Sequence, residues 1–439
     1  MSAPRFLNVR SASVSALVSR LLVLTFGLAN SVILPLVISQ YDVGVFFMAQ
    51  LAISALGTFG QGGLTLTIPT NVTRPFTLGH LAIARQHASQ TVAASLILST
   101  SVGTLFYAGA GLSAFKGPDH AVVLYGIVAL ATVLITYNTI LIELLRAVHR
   151  YKTANYLTAL SSASAVVFTG ACLLLRYHPS LIEILLAGLA GPAMSAVVAT
   201  IALARHLRHW PVAEERVQSA RILRQALPSL WTTVILFLLA QFDFALLALV
   251  APADQVALYG IATRLSSILL IPLGIANSSI APISTALLAA EKKAELQQLF
   301  YKVSLACAGL ALLGYLFFLF SGPAIIRAWN PAYAPSYHLF LILGLGQIIH
   351  AACGSAGAFL MISGDDRYTL RLVFLSGIAS AAACILGFAL WGLNGLAAGS
   401  AVGNVIQVVC FTLRVRARFG LDPSIAAASR LLKTPGNRS

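Results

Sequence analysis

Twelve long apolar runs constrain this sequence more than any other feature. A helix needs about 20 mainly apolar residues to cross a hydrocarbon core about 30 Å thick. The runs extend over Leu17 to Ile38, Val43 to Thr67, Thr91 to Gly111, Ala121 to Leu145, Leu157 to Leu175, Leu181 to Leu203, Leu230 to Val250, Val256 to Leu287, Val303 to Phe320, Tyr337 to Ile362, Leu372 to Leu390 and Leu393 to Leu413. The sequence therefore predicts an all-α integral membrane protein with about twelve transmembrane helices.

Composition excludes a soluble or disordered protein. Hydrophobic residues make up 58% of the 439 residues and charged residues only 9%, against about 45–50% and about 25% in soluble domains. In a polar protein, the net charge of +15 would favour a nucleic-acid partner. Here the basic residues lie between the apolar runs, so we expect membrane lipid around the chain and no nucleic acid as a partner.

The cysteines predict neither disulfides nor a metal site. All five lie inside apolar runs, without a Cys-x-x-Cys pair or a nearby Cys/His cluster: Cys172, Cys307, Cys353, Cys384 and Cys410. The sequence also contains no phosphate-binding loop of the Gly-x-x-x-x-Gly-Lys-Ser/Thr type. We expect no cofactor and no ATP hydrolysis by the chain itself.

The distribution of basic residues predicts the orientation, because cytoplasmic loops are enriched in Lys and Arg. With a cytoplasmic N-terminus, all but five of the 28 Lys and Arg residues fall on one side of the membrane. The five exceptions are Lys116, Arg176 and Arg327 in loops of the other side, and Arg20 and Arg264 within spans. This bias predicts twelve spans with both termini in the cytoplasm.

The two halves of the chain show weak self-similarity. Aligning Val43 with Val256 also places Phe46 on Tyr259 and Pro69 on Pro282, at the same span numbers in each half. Such a duplication is frequent in transporters. We therefore predict four segments: a six-helix lobe over residues 1–204, a cytoplasmic linker over 205–228, a second six-helix lobe over 229–415 and a basic cytoplasmic tail over 416–439.

Charged residues inside the spans are the strongest candidates for function. An ionised side chain at the bilayer centre costs about 2.5–3.5 kcal/mol even on the lenient insertion scale. Asp243 and Arg264 flank the hairpin of spans 7 and 8 at similar depth. They either form a structural ion pair, or Arg264 presents charge to a cavity while Asp243 holds it or exchanges a proton. Arg20, near the cytoplasmic end of span 1, either extends to the interface or binds substrate.

Neutral polar residues within the spans form a second group of candidates: Asn30, Gln50, Gln347 and His350. Asn30 and Gln50 flank the first hairpin at depths similar to those of Asp243 and Arg264, and His350 is the only histidine in the middle of a span. Catalysis inside a membrane would need converging acids and histidines, and the predicted external loops are short. The sequence therefore predicts a protein that is not an enzyme.

Several segments resemble one family of transporters. The first hairpin, "ANSVILPLVISQYDVGVFFMAQLAISALGTFGQGGL", and the start of the second half, "LPSLWTTVILFLLAQFDFALLALVAPADQVALYGIATRLSSI", carry the similarity. It continues through "LLRAVHRYKTANYL" and "IIRAWNPAYAPSYHLFLILGLGQ". The chain resembles the Wzx-type polysaccharide flippases of the MATE-like multidrug, oligosaccharidyl-lipid and polysaccharide (MOP) exporter superfamily.

This resemblance implies two six-helix lobes around a central cavity, working by alternating access in a bacterial inner membrane. It implies a substrate too, an oligosaccharide linked to undecaprenyl diphosphate, used for O-antigen, capsule or exopolysaccharide. Arg264 and Arg20 match the family's use of intramembrane arginine for the lipid diphosphate. A polysaccharide polymerase and a chain-length regulator are the implied protein partners. This sequence departs from the family in having no further basic residues deep in the first lobe.

Other functions of the same fold remain open. An ion-coupled exporter of drugs or metabolites is the main alternative, although cationic substrates would favour unpaired intramembrane carboxylates and only Asp243 lies deep. A peptidoglycan-precursor flippase is a close variant of the first hypothesis, but its relatives usually have fourteen spans.

Overall fold

The structure is a computed structural model that describes residues 9–112, 121–212, 219–363 and 366–427, and these residues form helices without any strand. The chain divides into two compact units, Met1–Phe237 and Leu238–Ser439. The helices of unit 1 are α1 Val9–Val37, α2 Gln40–Gln61, α3 Leu64–Ile68, α4 Arg74–Thr77, α5 Leu81–Leu112, α6 Ala121–Ala147, α7 Tyr151–Leu175, α8 Leu181–Leu207 and α9 Ser219–Ala240, whose last turn enters unit 2. Those of unit 2 are α10 Phe242–Val250, α11 Ala253–Ile268, α12 Ile271–Ala289, α13 Lys293–Trp329, α14 Ser336–Cys353, α15 Ala356–Ile362 and α16 Asp366–Phe419.

The prediction of an all-α membrane protein is confirmed. Nine helices in the described part of the chain are long and apolar enough to cross a membrane, and two bent helix pairs raise the number to 11. α16 enters this count once, although Trp391 and Gly392 interrupt it with non-helical backbone angles. Its two halves correspond to the predicted spans 11 and 12, so about twelve spans are present.

The core of unit 1 lies where α5, α6, α7 and α8 meet, and its buried side chains are mostly aliphatic. α1 packs along α7, and α2 packs against α5 and α6. After α2 the chain turns at Gly62 and Gly63, both with positive φ. A Cβ at Gly63 would lie 2.3 Å from the backbone nitrogen of Leu230, so glycine is needed here for the close approach of α9 as well as for the turn.

In unit 2, a seam of small residues holds the two halves of α16 together. A Cβ at Gly395 would lie 1.8 Å from the carbonyl oxygen of Gly387, and one at Gly399 would lie 2.4 Å from that of Ala383. A Cβ at Gly403 would likewise lie too close to the side chain of Ser380. The spacing of four between these glycines therefore serves close helix packing.

The eighth predicted span is bent, but only one of its prolines accounts for the bend. α11 and α12 meet at 53° across Leu269 and Leu270, and Pro272 occupies the first turn of α12. This is where a proline fits without losing a hydrogen bond. The sequence predicts that Pro272 and Pro282 each kink or end this span. Helix α12 continues through residue 282 to Ala289, so the expectation that it ends at Pro282 is wrong.

Helix positions follow the self-similarity seen in the sequence. The alignment that places Phe46 on Tyr259 also places Gln40, where α2 begins, on Ala253, where α11 begins. α5 and α13 begin within a residue of equivalent positions in the same alignment.

At the predicted linker, α8 ends at Leu207 and residues 213–218 lie outside the described part. The four predicted segments and the cytoplasmic position of both termini stay predictions.

The end of the described chain packs into unit 2. α16 extends to Phe419, and Asp422 and Ser424 after it are buried. Arg416 forms an ion pair with Asp422 at 2.8 Å, and Gln297 exchanges two hydrogen bonds with the Asp422 backbone. The first residues of the predicted tail are therefore packed, and residues 428–439 lie outside the described part.

We predict that Gly399→Leu destabilises unit 2 by about 1–3 kcal/mol, because overpacking forces backbone shifts. A thermal unfolding assay on the purified protein in detergent measures the effect. Gly309→Leu is the matched control, since no atom lies within 4 Å of a Cβ placed at Gly309. Equal melting temperatures of the two variants would contradict the close packing inside α16.

Candidate functional site

Asp243 lies at the centre of a hydrogen-bonded cluster inside unit 2. Its Oδ2 accepts hydrogen bonds from the Tyr259 hydroxyl on α11 and, at 2.7 Å, from the Ser400 hydroxyl on α16. Its Oδ1 accepts the backbone N–H of Phe244 at 2.8 Å. Tyr259 is fully buried. The carboxylate therefore joins three helices, and each of its oxygens has a donor.

The chain break before Asp243 explains how it reaches this position. The span formed by α9 and α10 bends by 68° at Gln241, which leaves Asp243 in the first turn of α10. The orphan N–H groups of a first helical turn favour an acidic side chain. Local backbone geometry and side-chain donors thus both stabilise a charge that is costly in a membrane.

Arg264 lies on the same helix as Tyr259 but in different surroundings. Residues 256–262 of α11 are all buried, whereas Arg264 is exposed, as is Ser267 one turn later. Arg264 is also near the middle of its span, eleven residues after Ala253 and thirteen before Asn277. Among the described residues, no carboxylate forms an ion pair with its guanidinium.

The structure thus brings Asp243 and Arg264 onto neighbouring helices without pairing them in the described part of the chain. Asp243 is bonded to hydroxyl and backbone donors instead, and the Arg264 guanidinium has no carboxylate partner among the described residues. Of the two alternatives left open by the sequence, this geometry favours a cation that presents its charge to a ligand.

A polar face of α16 continues from this cluster. Asn404 lies one helical turn after Ser400, and its Nδ2 is 3.4 Å from Oε1 of Gln347 on α14. His350 is on the next turn of α14, and its buried Nδ1 has no hydrogen-bond partner among the described residues. Gln347 and His350 are thus brought to the same side of unit 2 as Asp243, through Ser400 and Asn404.

The three candidates of unit 1 are not brought into one cluster. Asn30 on α1 accepts a hydrogen bond from Thr169 of α7 at 3.1 Å. Gln50 is half-buried on α2. Arg20 is exposed on α1, and it is the third residue of the candidate span Val18–Val37. It precedes Asn30 by ten residues, which is about 15 Å along a helix.

The internal self-similarity shows how the two units differ. In the alignment that places Phe46 on Tyr259, Asn30 corresponds to Asp243 and Leu51 to Arg264. The first unit thus has a neutral amide, a ring without a hydroxyl and an aliphatic side chain at these positions. At these aligned positions, the carboxylate, the tyrosine hydroxyl and the arginine therefore occur only in unit 2.

Sequence reasoning missed Tyr259, Ser400 and Asn404 as members of the site. The spacing of four between Ser400 and Asn404 in span 12 was a usable signal, because it places both on one helix face. Nothing in the sequence showed that this face meets Asp243 and Gln347.

No metal centre is found in the described residues, since no three His, Cys, Asp or Glu side chains converge. All five cysteines are free thiols. The polar cluster around Asp243 therefore consists of a carboxylate held by hydrogen-bond donors.

Comparison with known families assigns the chain. The profile of the polysaccharide biosynthesis protein family matches residues 9–288, which is more than half of the sequence. The chain belongs to this family. No curated protein sequence matches the chain.

Solved structures of transporters share its fold. A multidrug-resistance transporter of the MATE family and MOP superfamily, in an inward-facing conformation, aligns with a TM-score of 0.70 at 17% identity, over 92% of this chain and 95% of that chain. A mutant of the Vibrio cholerae MATE transporter VcmN aligns with a TM-score of 0.63 at 16% identity, over 93% and 96%. A MOP superfamily transporter from Pyrococcus furiosus gives 0.61 at 16%, over 96% and 95%.

Family and fold together establish the general class. The fold is one that membrane transporters share, and the family is that of polysaccharide biosynthesis proteins. The apolar helices and this fold make the chain a multi-pass membrane protein. The family also connects it with polysaccharide biosynthesis.

We predict that Tyr259→Phe destabilises unit 2 by about 1–3 kcal/mol, because Asp243 loses a buried donor. A double-mutant cycle with Asp243→Asn, measured by thermal unfolding in detergent, should give effects that do not add. Ser267→Ala is the control, since its hydroxyl is exposed and bonds to the carbonyl of Arg264 in its own helix. Strictly additive effects would show that the Tyr259–Asp243 hydrogen bond does not contribute to stability.

Proposed function

We propose that this protein flips oligosaccharide units linked to undecaprenyl diphosphate from the inner to the outer leaflet of a bacterial inner membrane. The flipped unit would serve O-antigen, capsule or exopolysaccharide synthesis. The observation that carries the proposal is Arg264, an exposed cation in the middle of a span without an ion-pair partner among the described residues. Such a residue is costly in a membrane and usually marks a substrate path.

The chemistry of the substrate explains the need for this cation. A diphosphate loses its hydration on entering hydrocarbon, and sugar hydroxyls lose their hydrogen bonds. The guanidinium of Arg264 can donate two parallel hydrogen bonds to phosphate oxygens. The polyprenyl tail needs no such help, since it can stay in the lipid throughout the transfer.

The remaining candidates take supporting roles in this proposal. Arg20, close to the end of its span, meets the diphosphate at the membrane boundary. Gln347 and His350 in unit 2, with Asn30 and Gln50 in unit 1, offer amide and imidazole groups to the sugar. Asp243 fixes α10, α11 and α16 relative to one another and is the residue available for proton coupling.

The same fold also suits an ion-coupled exporter of small molecules. Solved structures with this fold include a multidrug-resistance transporter. A cationic drug would need a carboxylate free to receive it, but both oxygens of Asp243 already accept hydrogen bonds. The unpaired cation favours an anionic substrate, and thus the flippase.

In a cell, the flipped units would pass to a polysaccharide polymerase working with a chain-length regulator. Both enter the proposal only as consumers of the product.

We predict that Arg264→Ala lowers surface polysaccharide by about ten- to a hundredfold, the loss expected for charge-assisted hydrogen bonds to phosphate. Arg264→Lys should keep part of the output, because it retains the charge but not the paired donors. The measurement is surface polysaccharide per cell at matched membrane levels of each variant.

Arg327→Ala is the matched control, because Arg327 is exposed in the last turn of α13 rather than deep in a span. Wild-type output from Arg264→Ala would contradict the assigned role. Resistance to cationic dyes that depends on the protein and disappears in Asp243→Asn would favour the exporter.

A further inference from the structure

A second basic site lies in unit 1. Its residues are different from those that the proposed function uses. A cavity of about 300 Å³ opens between the end of α6, the start of α7 and the end of α8. Its lining includes four basic side chains and one hydroxyl: Arg150, Arg205, His206, His209 and Thr153. Both arginines are among the basic residues that the charge bias predicts on the cytoplasmic side.

The cavity carries positive charge that its lining does not neutralise. Among the described residues, no carboxylate lines it, and none forms an ion pair with Arg150 or Arg205. The buried Nε2 of His206 has no hydrogen-bond partner in the described chain. A buried polar atom without a partner is costly, and this one belongs to a side chain that lines the cavity.

Helix ends explain some of this charge but not all of it. Arg205 and His206 lie in the last turn of α8, where cations offset the negative end of the helix dipole. Arg150 is different, because it precedes the first turn of the 25-residue helix α7, which is the positive end. A cation there is unfavourable unless an anion lies between it and the helix.

The start of α7 is itself suited to an anion. No side chain caps it, so the N–H groups of its first turn have no partner within the helix. Thr153 in that turn adds a hydroxyl to the cavity wall. Free N–H groups, a hydroxyl and arginines together form the usual recognition set for phosphate.

Aromatic packing holds the other wall in place. The rings of His206 and Trp210 are 5.3 Å apart, and Trp210 stacks on Phe76 at 5.2 Å. Nη1 of Arg85 donates a hydrogen bond to the carbonyl of Trp210. The basic wall is therefore organised before a ligand arrives, which lowers the entropy cost of binding.

We propose that this cavity binds the phosphate of an anionic phospholipid headgroup at the basic end of unit 1. Basic pockets between helices on the cytoplasmic side are the usual sites of such headgroups. The volume lies at the lower end of the range for small-ligand pockets, which suits one headgroup. The proposal does not rest on the transported substrate, because its residues are separate from Arg264 and Asp243.

Native mass spectrometry of the full-length protein tests this proposal. The protein is released from detergent containing either phosphatidylglycerol or phosphatidylcholine, and retained lipid is counted. We expect the wild-type protein to retain phosphatidylglycerol selectively. In the double variant Arg150→Gln with Arg205→Gln, the affinity for this lipid should fall by about tenfold for each arginine lost. Ala202→Phe, which fills the cavity without changing its charge, should also reduce retention.

The matched control is Arg74→Gln with Arg208→Gln, which removes the same charge from exposed residues of unit 1 outside the cavity lining. Equal retention by all variants would overturn the proposal. Displacement of lipid by millimolar inorganic phosphate, with loss of phosphate binding in the double variant, would keep the phosphate site but assign it to a soluble ligand. Flippase activity is measured separately, so failure here leaves the proposed function untouched.

Discussion

The cost of leaving a polar group unsatisfied in hydrocarbon governs this structure. It forces the backbone into helices throughout the described chain, and it governs how the few polar side chains inside the spans are placed. Asp243 receives donors from Tyr259, Ser400 and its own helix start. Where donors are absent, as along the seam inside α16, glycines bring the helices into direct backbone contact.

Arg264 is informative because it departs from this rule. A cation in the middle of a span, with no carboxylate paired to it in the described residues, is costly in a membrane and gains stability from an anionic ligand. A lipid diphosphate is such a ligand and carries a tail that remains in the membrane. Arg150 and Arg205 at the cavity of unit 1 are also cations without a carboxylate partner among the described residues. We place this cavity at the membrane boundary, where phospholipid headgroups are abundant.

Much of the fold could be predicted from sequence, because hydropathy reports directly on burial in lipid. The predicted boundary between spans 11 and 12 lies within a residue or two of Trp391 and Gly392, and the deep positions of Asp243 and Arg264 follow from residue counting. Their partners could not be predicted, since the contacts of Asp243 with Ser400 and of Asn404 with Gln347 depend on helix rotation.

We propose that the protein moves a lipid-linked oligosaccharide across the membrane. The most direct test is a clean gene deletion in the native host, with surface polysaccharide and the pool of undecaprenyl-diphosphate oligosaccharide compared with the parent strain. We expect loss of the polymer together with a build-up of complete repeat units facing the cytoplasm. Unchanged polysaccharide and an unchanged lipid-linked pool would contradict the account.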